Sequence, residues 1–547
     1  MTLLVSLSLL LIIFTIFLDQ LHVHASDYDF SYMKSVYNAT DMPPLEEYDY
    51  IVIGGGTAGC PLAATLSEKY SVLVLERGNI PNAYPNVLKA SGFLANLQQQ
   101  DNINGDTPAQ RFTSEDGVEN VRGRVLGGTS MINAGFYSRA DSEFLSKSGV
   151  EWDYEEVEKA YEWVEESIVF PSSNLSVWQS VVKEAFLEVG VGPDNGVTLE
   201  HKVGAKQSGS IFDDMGRRHG AVELLNKGDL KNLRIAVHAT VKKIMFSSTM
   251  SKPAAVGVVY TDARGMFHKA IIRNKGEVIL SAGPLGSPQI LLLSGIGPHS
   301  DLSSQFIPIL LPQPNVGKFM ADNPRNNINL IIPFPFDTST AQVVGITTDY
   351  YIETVSYSLP FAPISLPFSF YSTPLSPPQL SLASIVEKIV GPLSQGSLWL
   401  ASAIDAEATP RVRFNYFSDP TDLSRCVRAT RKIGDLLKSR SLDRFKYTDY
   451  NGARDFMFLG APVPANHTDD SSMEAFCRNS VTSFWHYHGG CVVGKVVDGD
   501  FKVFGIDSLR VVDSSTFNAS PGTNPQATIM MIGRYVGLKM LNERSRS

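Results

Sequence analysis

Only four cysteines occur in 547 residues, and no two have zinc-ligand spacing, so neither a dense disulfide scaffold nor a structural zinc site is expected. There is no G-x-S-x-G turn, which removes the nucleophile elbow of a serine hydrolase. No dense run of Lys or Arg appears. With 47 basic residues against 56 acidic ones, the formal net charge is −9, and nucleic acid is excluded as a partner. No repeat recurs at a fixed period, which excludes solenoids and propellers. What remains is ordinary globular composition, 43% hydrophobic and 19% charged, in a chain long enough for two domains.

Charge is scarcest at the start. Leu3 to Leu18 is almost unbroken apolar sequence with no Lys or Arg before it, followed by Val23-His24-Ala25. The small residues suit signal peptidase, so residues 1–25 read as a signal peptide cut after Ala25. The run falls short of the ~20 residues of a membrane span, and no cationic flank follows it. A secreted protein with no membrane span in its mature chain is expected. Asn38, Asn174 and Asn466 head N-x-[ST] triplets and are expected glycosylation sites. Asn518 heads a fourth but falls in a stretch assigned below to the site. Cys60 lies in a nucleotide-binding helix and Cys491 in a glycine-rich segment, which leaves Cys426 and Cys477 as the expected disulfide.

Tyr48 to Ile53 reads as a buried strand running into Gly54-Gly55-Gly56-Thr57-Ala58-Gly59, a G-x-G-x-x-G turn. A helical pattern follows, with Leu62, Ala63 and Leu66 on one face and Pro61 in the first turn. A second strand, Val72 to Leu75, ends in Glu76. Gly54, Gly56 and Gly59 let the backbone turn tightly and approach a pyrophosphate at a helix N-terminus, while an acid at Glu76 meets a ribose hydroxyl. Such an acid favours FAD or NAD over NADP.

Two further glycine-rich stretches choose between them. Gly123 to about Ser146 contains Gly127-Gly128-Thr129-Ser130, and Gly283-Pro284-Leu285-Gly286-Ser287-Pro288 leads into an apolar helix from Gln289 to Leu293. With these, the sequence resembles the glucose–methanol–choline oxidoreductase family over nearly the whole mature chain. The resemblance implies the GMC fold: an α/β chain with an FAD-binding Rossmann-like domain and an α+β substrate domain containing an antiparallel sheet. It assigns residues 46–165, 205–330 and 480–547 to the first and 166–204 and 331–479 to the second. It implies that Thr57 and Ala58 meet the pyrophosphate, with Glu76 and Arg77 at the ribose. Thr129, Asn133, Ala134, Gly135 and Phe136 would line the flavin. Val241, in a strand from Leu233 to Ile244, would meet the adenine, and Asp513 the ribityl chain. Ile132 stands where some members carry a flavin-linking His, so FAD is expected to be non-covalent.

The resemblance also points to Phe484-Trp485-His486-Tyr487-His488 and to Asn524-Pro525. It implies that His486 and Asn524 are catalytic, that Trp485 and Pro525 line the flavin beside them, and that Phe484 meets substrate; His488 reads as a packing residue. A neutral imidazole takes a hydroxyl proton near neutral pH, and an amide can hold the same oxygen. Within the family the chain is similar to the plant (R)-mandelonitrile lyases, which split an aromatic cyanohydrin into aldehyde and HCN with FAD non-redox. Those lyases carry Tyr at Phe484, His at Asn524, and a substrate-contacting Cys in the region of Tyr351 to Ser356. The alternative is an FAD-dependent alcohol or long-chain hydroxy acid oxidase using His486 and Asn524, as in another plant subgroup; a third is an inert flavoprotein. Substrate is therefore a small cyanohydrin or alcohol, no metal is expected, and monomer is the default. Leu330 to Gln379, rich in Pro and Ser, reads either as surface loop or as a lid over the site.

Overall fold

The computed structural model describes residues 28–98, 106–172, 174–247, 252–360 and 379–546. The expected signal peptide lies outside them.

Continuous apolar runs build the first sheet. Leu45–Ile53 and Val72–Leu75 lie parallel, with Tyr50 opposite Val72 and Ile53 opposite Leu75. Leu233–Val237 and then Val36–Asn38 extend the sheet past Val72–Leu75. On the other side Phe267–Leu280 pairs with Leu45–Ile53, and Leu509–Val511 joins it, also in parallel. Ile51, Val52 and Val74 are fully buried, as in a sheet covered on both faces. Ala254–Thr261 and Thr240–Ser247 complete it as antiparallel strands.

Two helices pack where the first strand ends. Gly59–Ser67 follows the glycine turn, and Gln526–Arg546 lies against it. A Cβ at Gly533 would sit 2.4 Å from the Ala58 carbonyl oxygen, and one at Gly537 would sit 2.8 Å from the Thr65 Cβ. Only glycine permits so close an approach.

Two elements differ from expectation. The strand expected over Leu233 to Ile244 is broken at His238, whose φ of 56° turns the chain into the antiparallel Thr240–Ser247. The helix expected from Gln289 begins at Gly283 and runs to Leu293. Pro284 fits its first turn, where an N–H has no helical partner. The Asp513 carboxylate holds that end, accepting bonds from Gly283 N (2.9 Å) and Ser287 Oγ (2.5 Å).

The second sheet runs in the order Met457–Phe458, Pro324–Ile331, Gln379–Ile389, Tyr350–Pro360, Val343–Ile346, Gly204–Gln207 and Asp194–Val197. It is antiparallel except for the last pair, and Thr482–Ser483 joins Pro324–Ile331. The sheet therefore takes in Gly204–Gln207, Pro324–Ile331 and Thr482–Ser483, which lie at or beyond the edges of the segments expected to form this half. The stretch from Leu330 to Gln379 is not one loop: Val343–Ile346 and Tyr350–Pro360 are strands within it. Residues 361–378 of the stretch from Leu330 to Gln379, for which a lid was the other expectation, lie outside the described residues.

Helices Val177–Glu188, Pro420–Leu436 and Asp470–Asn479 cover one face of this sheet over a core that includes Trp178, Ile385 and Ile433. A disulfide between Cys426 and Cys477 ties the last two helices together. It closes a loop 51 residues apart in sequence. Replacing both cysteines by serine is expected to lower stability by about 4 kcal/mol, the chain entropy such a loop releases on unfolding. Urea unfolding, with both midpoint and slope fitted for each form, will measure it.

Candidate active site

The first sheet and its glycine turns surround a cavity of about 270 Å³ that extends to the second sheet. Gly54 has φ +99°, and a Cβ there would lie 2.5 Å from the Ser281 carbonyl oxygen. A Cβ at Gly59 would lie 2.0 Å from the Gly54 oxygen, whereas one at Gly56 would meet nothing closer than Gly128 Cα at 3.8 Å, an ordinary contact. The second glycine turn stacks on the first: Gly127 N donates to Gly55 O at 2.7 Å. Gly54, Gly56, Thr57 and Ala58 line the cavity at the start of the helix Gly59–Ser67, with Gly59 behind them. No side chain caps that helix; Cys60 N donates to Gly56 O at 3.0 Å and Pro61 has no N–H, so the N–H groups ahead of Cys60 are the ones placed to meet an anion.

Glu76 and Arg77 line the next part of the wall, and Val241 faces it from Thr240–Ser247. The Glu76 carboxylate accepts bonds from Gly55 N at 3.1 Å and Gly78 N at 2.8 Å. Burial pushes its pKa up, against those two donors. Thr129, Asn133, Ala134, Gly135 and Phe136 line the middle, and Asp513 stands at the far side of the helix end it holds. These features fit FAD. A close-packed glycine turn, a helix N-terminus with no side-chain cap and a carboxylate at the strand end line a single cavity.

At its other end lie Phe484, Trp485, His486, Asn524 and Pro525, so the residues expected to meet flavin or substrate converge on one space. The segment bearing His486 is held by the buried Asp322. Its carboxylate accepts bonds from His486 N (2.9 Å), Ser483 Oγ (2.7 Å) and Tyr416 OH (2.5 Å). Burial lifts the Asp322 pKa to about 6, opposed by those donors. Trp485 adopts φ +60°, a left-handed conformation few bulky residues take; its N–H donates to Ser483 Oγ at 2.8 Å. Arg325 lies 4.4 Å over its ring. The His486 Nδ1 atom is buried without a partner among the described residues. Burial first, then the charges of Lys388, His488 and Arg325, hold its pKa well below the usual imidazole value, so the ring is neutral. His488, which packs rather than lines the cavity, bonds the His486 carbonyl through Nδ1 at 3.0 Å.

Four wall or support residues were not expected from sequence. Arg218 is fully buried and donates to Val87 O (2.8 Å), Ser130 O (3.0 Å), Asn133 Oδ1 (2.9 Å) and Asn133 O (2.6 Å). It thereby fixes the turn from which Asn133 to Phe136 project. Burial lowers its pKa to about 9, which still leaves it cationic at neutral pH. Asp322 is the second. Glu353 and Lys388, on the neighbouring strands Tyr350–Pro360 and Gln379–Ile389, are the third and fourth. Glu353 lines the cavity. Lys388 is buried and donates to Ser520 Oγ (3.2 Å), Gly522 O (3.0 Å) and Thr523 O. A charged residue within a strand of mostly uncharged residues was the available signal for both.

Away from the cavity, Asn174 and Asn466 are exposed and Asn38 is half-buried. Asn518 is exposed, but its Nδ2 donates to Lys147 O at 2.6 Å. No cluster of metal-binding side chains occurs among the described residues, and no described helix is long and apolar enough to cross a membrane.

Family models described as GMC oxidoreductase match residues 48–325 and 392–533. The chain is 54% identical to (R)-mandelonitrile lyase 1 of Prunus serotina, over 98% of this chain and 95% of that one. It is 55% identical to an (R)-mandelonitrile lyase-like protein of Arabidopsis thaliana, over 94% and 93%. A sinalpyl alcohol oxidase, Nec3, of Nesocodon mauritianus is 52% identical over 95% and 93%. Among solved structures, an Aspergillus oryzae formate oxidase matches with TM-score 0.75 at 19% identity, over 92% of this chain and all of that one.

Arg218→Met takes the side-chain donor from three backbone carbonyls, those of Val87, Ser130 and Asn133, while Asn133 Oδ1 keeps Gly135 N, at a cost of about 3 kcal/mol or more. The purified variant is expected to hold several-fold less flavin per chain, measured by the ratio of visible to ultraviolet absorbance.

Proposed function

This chain belongs to the GMC oxidoreductase family, and from that premise we propose that it is a secreted FAD enzyme cleaving an aromatic cyanohydrin to aldehyde and HCN. The observation that carries the chemistry is the neutral, buried His486 at the cavity wall, with the cationic Arg325 near it and Lys388, whose pKa burial lowers to about 7 against the pull of Glu353 and Asp322. The relatives named mandelonitrile lyase, at 54% identity over almost the full length, support the substrate class.

FAD is the cofactor, non-covalently bound; its chemistry is that of a hydride acceptor from alcohols, a capacity cyanohydrin cleavage leaves unused. Gly54, Gly56, Thr57 and Ala58 would hold its phosphates, Glu76 and Arg77 its ribose, Val241 its adenine, and Asn133 to Phe136 its ring. Asp513 would hold its ribityl chain.

His486 then takes the cyanohydrin's hydroxyl proton, and the Asn524 amide holds the same oxygen. As the C–C bond to the nitrile breaks, the oxygen's electron pair forms the aldehyde carbonyl and the bond's own pair leaves on cyanide. The positive field of Lys388 and Arg325 favours that anion, and the proton passes from His486 to cyanide to give HCN. Phe484, its ring 4.7 Å from that of His486, supplies an apolar face for an aryl group.

A second reading is alcohol oxidation. Two observations favour it: Asn524 is an amide, and the Glu353 carboxylate beside Lys388 offsets part of the field a leaving anion needs. Two assays separate the readings. Benzaldehyde release from racemic mandelonitrile supports the lyase; anaerobic bleaching of the flavin by an aromatic alcohol, without cyanohydrin cleavage, replaces it with the oxidase. The disulfide and the sequons support secretion, and glycan analysis of Asn38, Asn174 and Asn466 tests it.

His486→Ala is expected to lower kcat about 10²-fold or more while flavin is retained. Because burial keeps the imidazole neutral, activity should persist below the free-histidine value of about 6.5, since only the neutral form accepts the proton. A kcat/KM profile set by His486 with its acid limb above pH 7 would contradict this.

A further inference from the structure

The proposed chemistry leaves one polar group of the cavity without a task. Glu353, His486 and Asn524 all line the cavity. Each carries a buried atom with no hydrogen-bond partner among the described residues: Oε1 of Glu353, Nδ1 of His486 and Oδ1 of Asn524. His486 and Asn524 serve the substrate's reacting hydroxyl. Glu353 has no part in that proton transfer, and a carboxyl oxygen buried without a partner is costly.

Its place in the second sheet indicates which part of a substrate it meets. Among the described residues, Glu353 is the only one from the strands of that sheet to line the cavity. Side chains alternate along a strand, so Glu353 and Tyr351 share one face of Tyr350–Pro360. Their partners, Val386 and Lys388, share the same face of Gln379–Ile389. Lys388 Nζ lies 5.5 Å from the centre of the Tyr351 ring and 5.8 Å from that of Phe484. The face that carries Glu353 is therefore turned toward Phe484, the residue that offers an apolar surface to an aryl group.

We propose that Glu353 is a specificity-determining residue: it receives a hydroxyl carried on the substrate's aromatic ring, so that phenolic cyanohydrins or phenolic alcohols are preferred over unsubstituted aryl ones. This rests on the reading in which an aryl substrate reacts at His486 and Asn524, and narrows it. Burial pushes the Glu353 carboxyl up in pKa and the Lys388 amine down, each shift opposed by the other's charge. A hydroxyl suits the carboxyl in either protonation state, because it donates to a carboxylate and accepts from a carboxylic acid. An ether can only accept. An unsubstituted ring does neither, and it excludes water while leaving Oε1 unmet.

The test uses flavin-loaded enzyme and reads binding from the perturbation of the flavin's visible spectrum, so it does not depend on turnover. Benzaldehyde, meta- and para-hydroxybenzaldehyde and the matching methoxybenzaldehydes are titrated against the unaltered chain, Glu353→Gln and Glu353→Leu. One of the hydroxybenzaldehydes is expected to bind the unaltered chain about 10²-fold more tightly than benzaldehyde, and its methoxy counterpart to lose most of that gain. Gln offers an acceptor of nearly the same shape, so the Gln form should keep part of the preference. The Leu form should lose it. A crystal structure of the unaltered enzyme with the favoured aldehyde is expected to put the phenol oxygen within hydrogen-bonding distance of Glu353, and it decides the matter where the Leu form holds no flavin. Equal binding of hydroxylated and unsubstituted aldehydes, a preference that survives in Glu353→Leu, or a phenol oxygen bound away from Glu353 overturns the proposal. If the unaltered enzyme turns over neither cyanohydrin nor alcohol, the functional reading fails, and the binding preference still decides this one.

Discussion

The architecture depends on how closely backbone can approach backbone around Gly54. The first strand, the Ser281 turn, the Gly128 turn and the last helix all converge there, at separations no side chain would allow. That convergence removes bulk from the strand end and leaves a slot lined by peptide N–H groups. The sheet supplies rigidity, the glycines supply proximity, and the uncapped start of the helix Gly59–Ser67 supplies partial positive charge where a phosphate would lie.

The opposite end of the cavity follows another rule. There, single buried charges hold segments that lack regular structure. Asp322 gathers three donors to fix the stretch through His486. Arg218 does the same for the turn before Phe136, and Lys388 for the turn before Asn524. A buried charge is costly unless it is hydrogen-bonded, and burial shifts all three groups toward their neutral forms, so each serves as a joint through the bonds it makes.

Much of this was legible beforehand. The strand, the glycine spacing, the second strand and Glu76 lie within one short stretch, and their order carries its own meaning. The family likeness then pointed to His486 and Asn524, which local pattern alone would have left as an unremarkable imidazole and a turn residue. The joints were illegible for a physical reason. Arg218 and Asp322 act through contacts across long stretches of chain, and a lone Arg or Asp in sequence usually means surface. Glu353 and Lys388 did carry a mark, since each interrupts a strand of mostly uncharged residues, but strand alternation alone does not say which face meets a cavity. The misplaced start of the helix at Gly283 has the same origin: its anchor, Asp513, is 230 residues away.

The walls of the cavity are drawn from Ile53 at one extreme of the chain to Ile529 near the other. During synthesis the pocket is therefore incomplete until the last helix has left the ribosome. Flavin can be captured firmly only by a finished polypeptide.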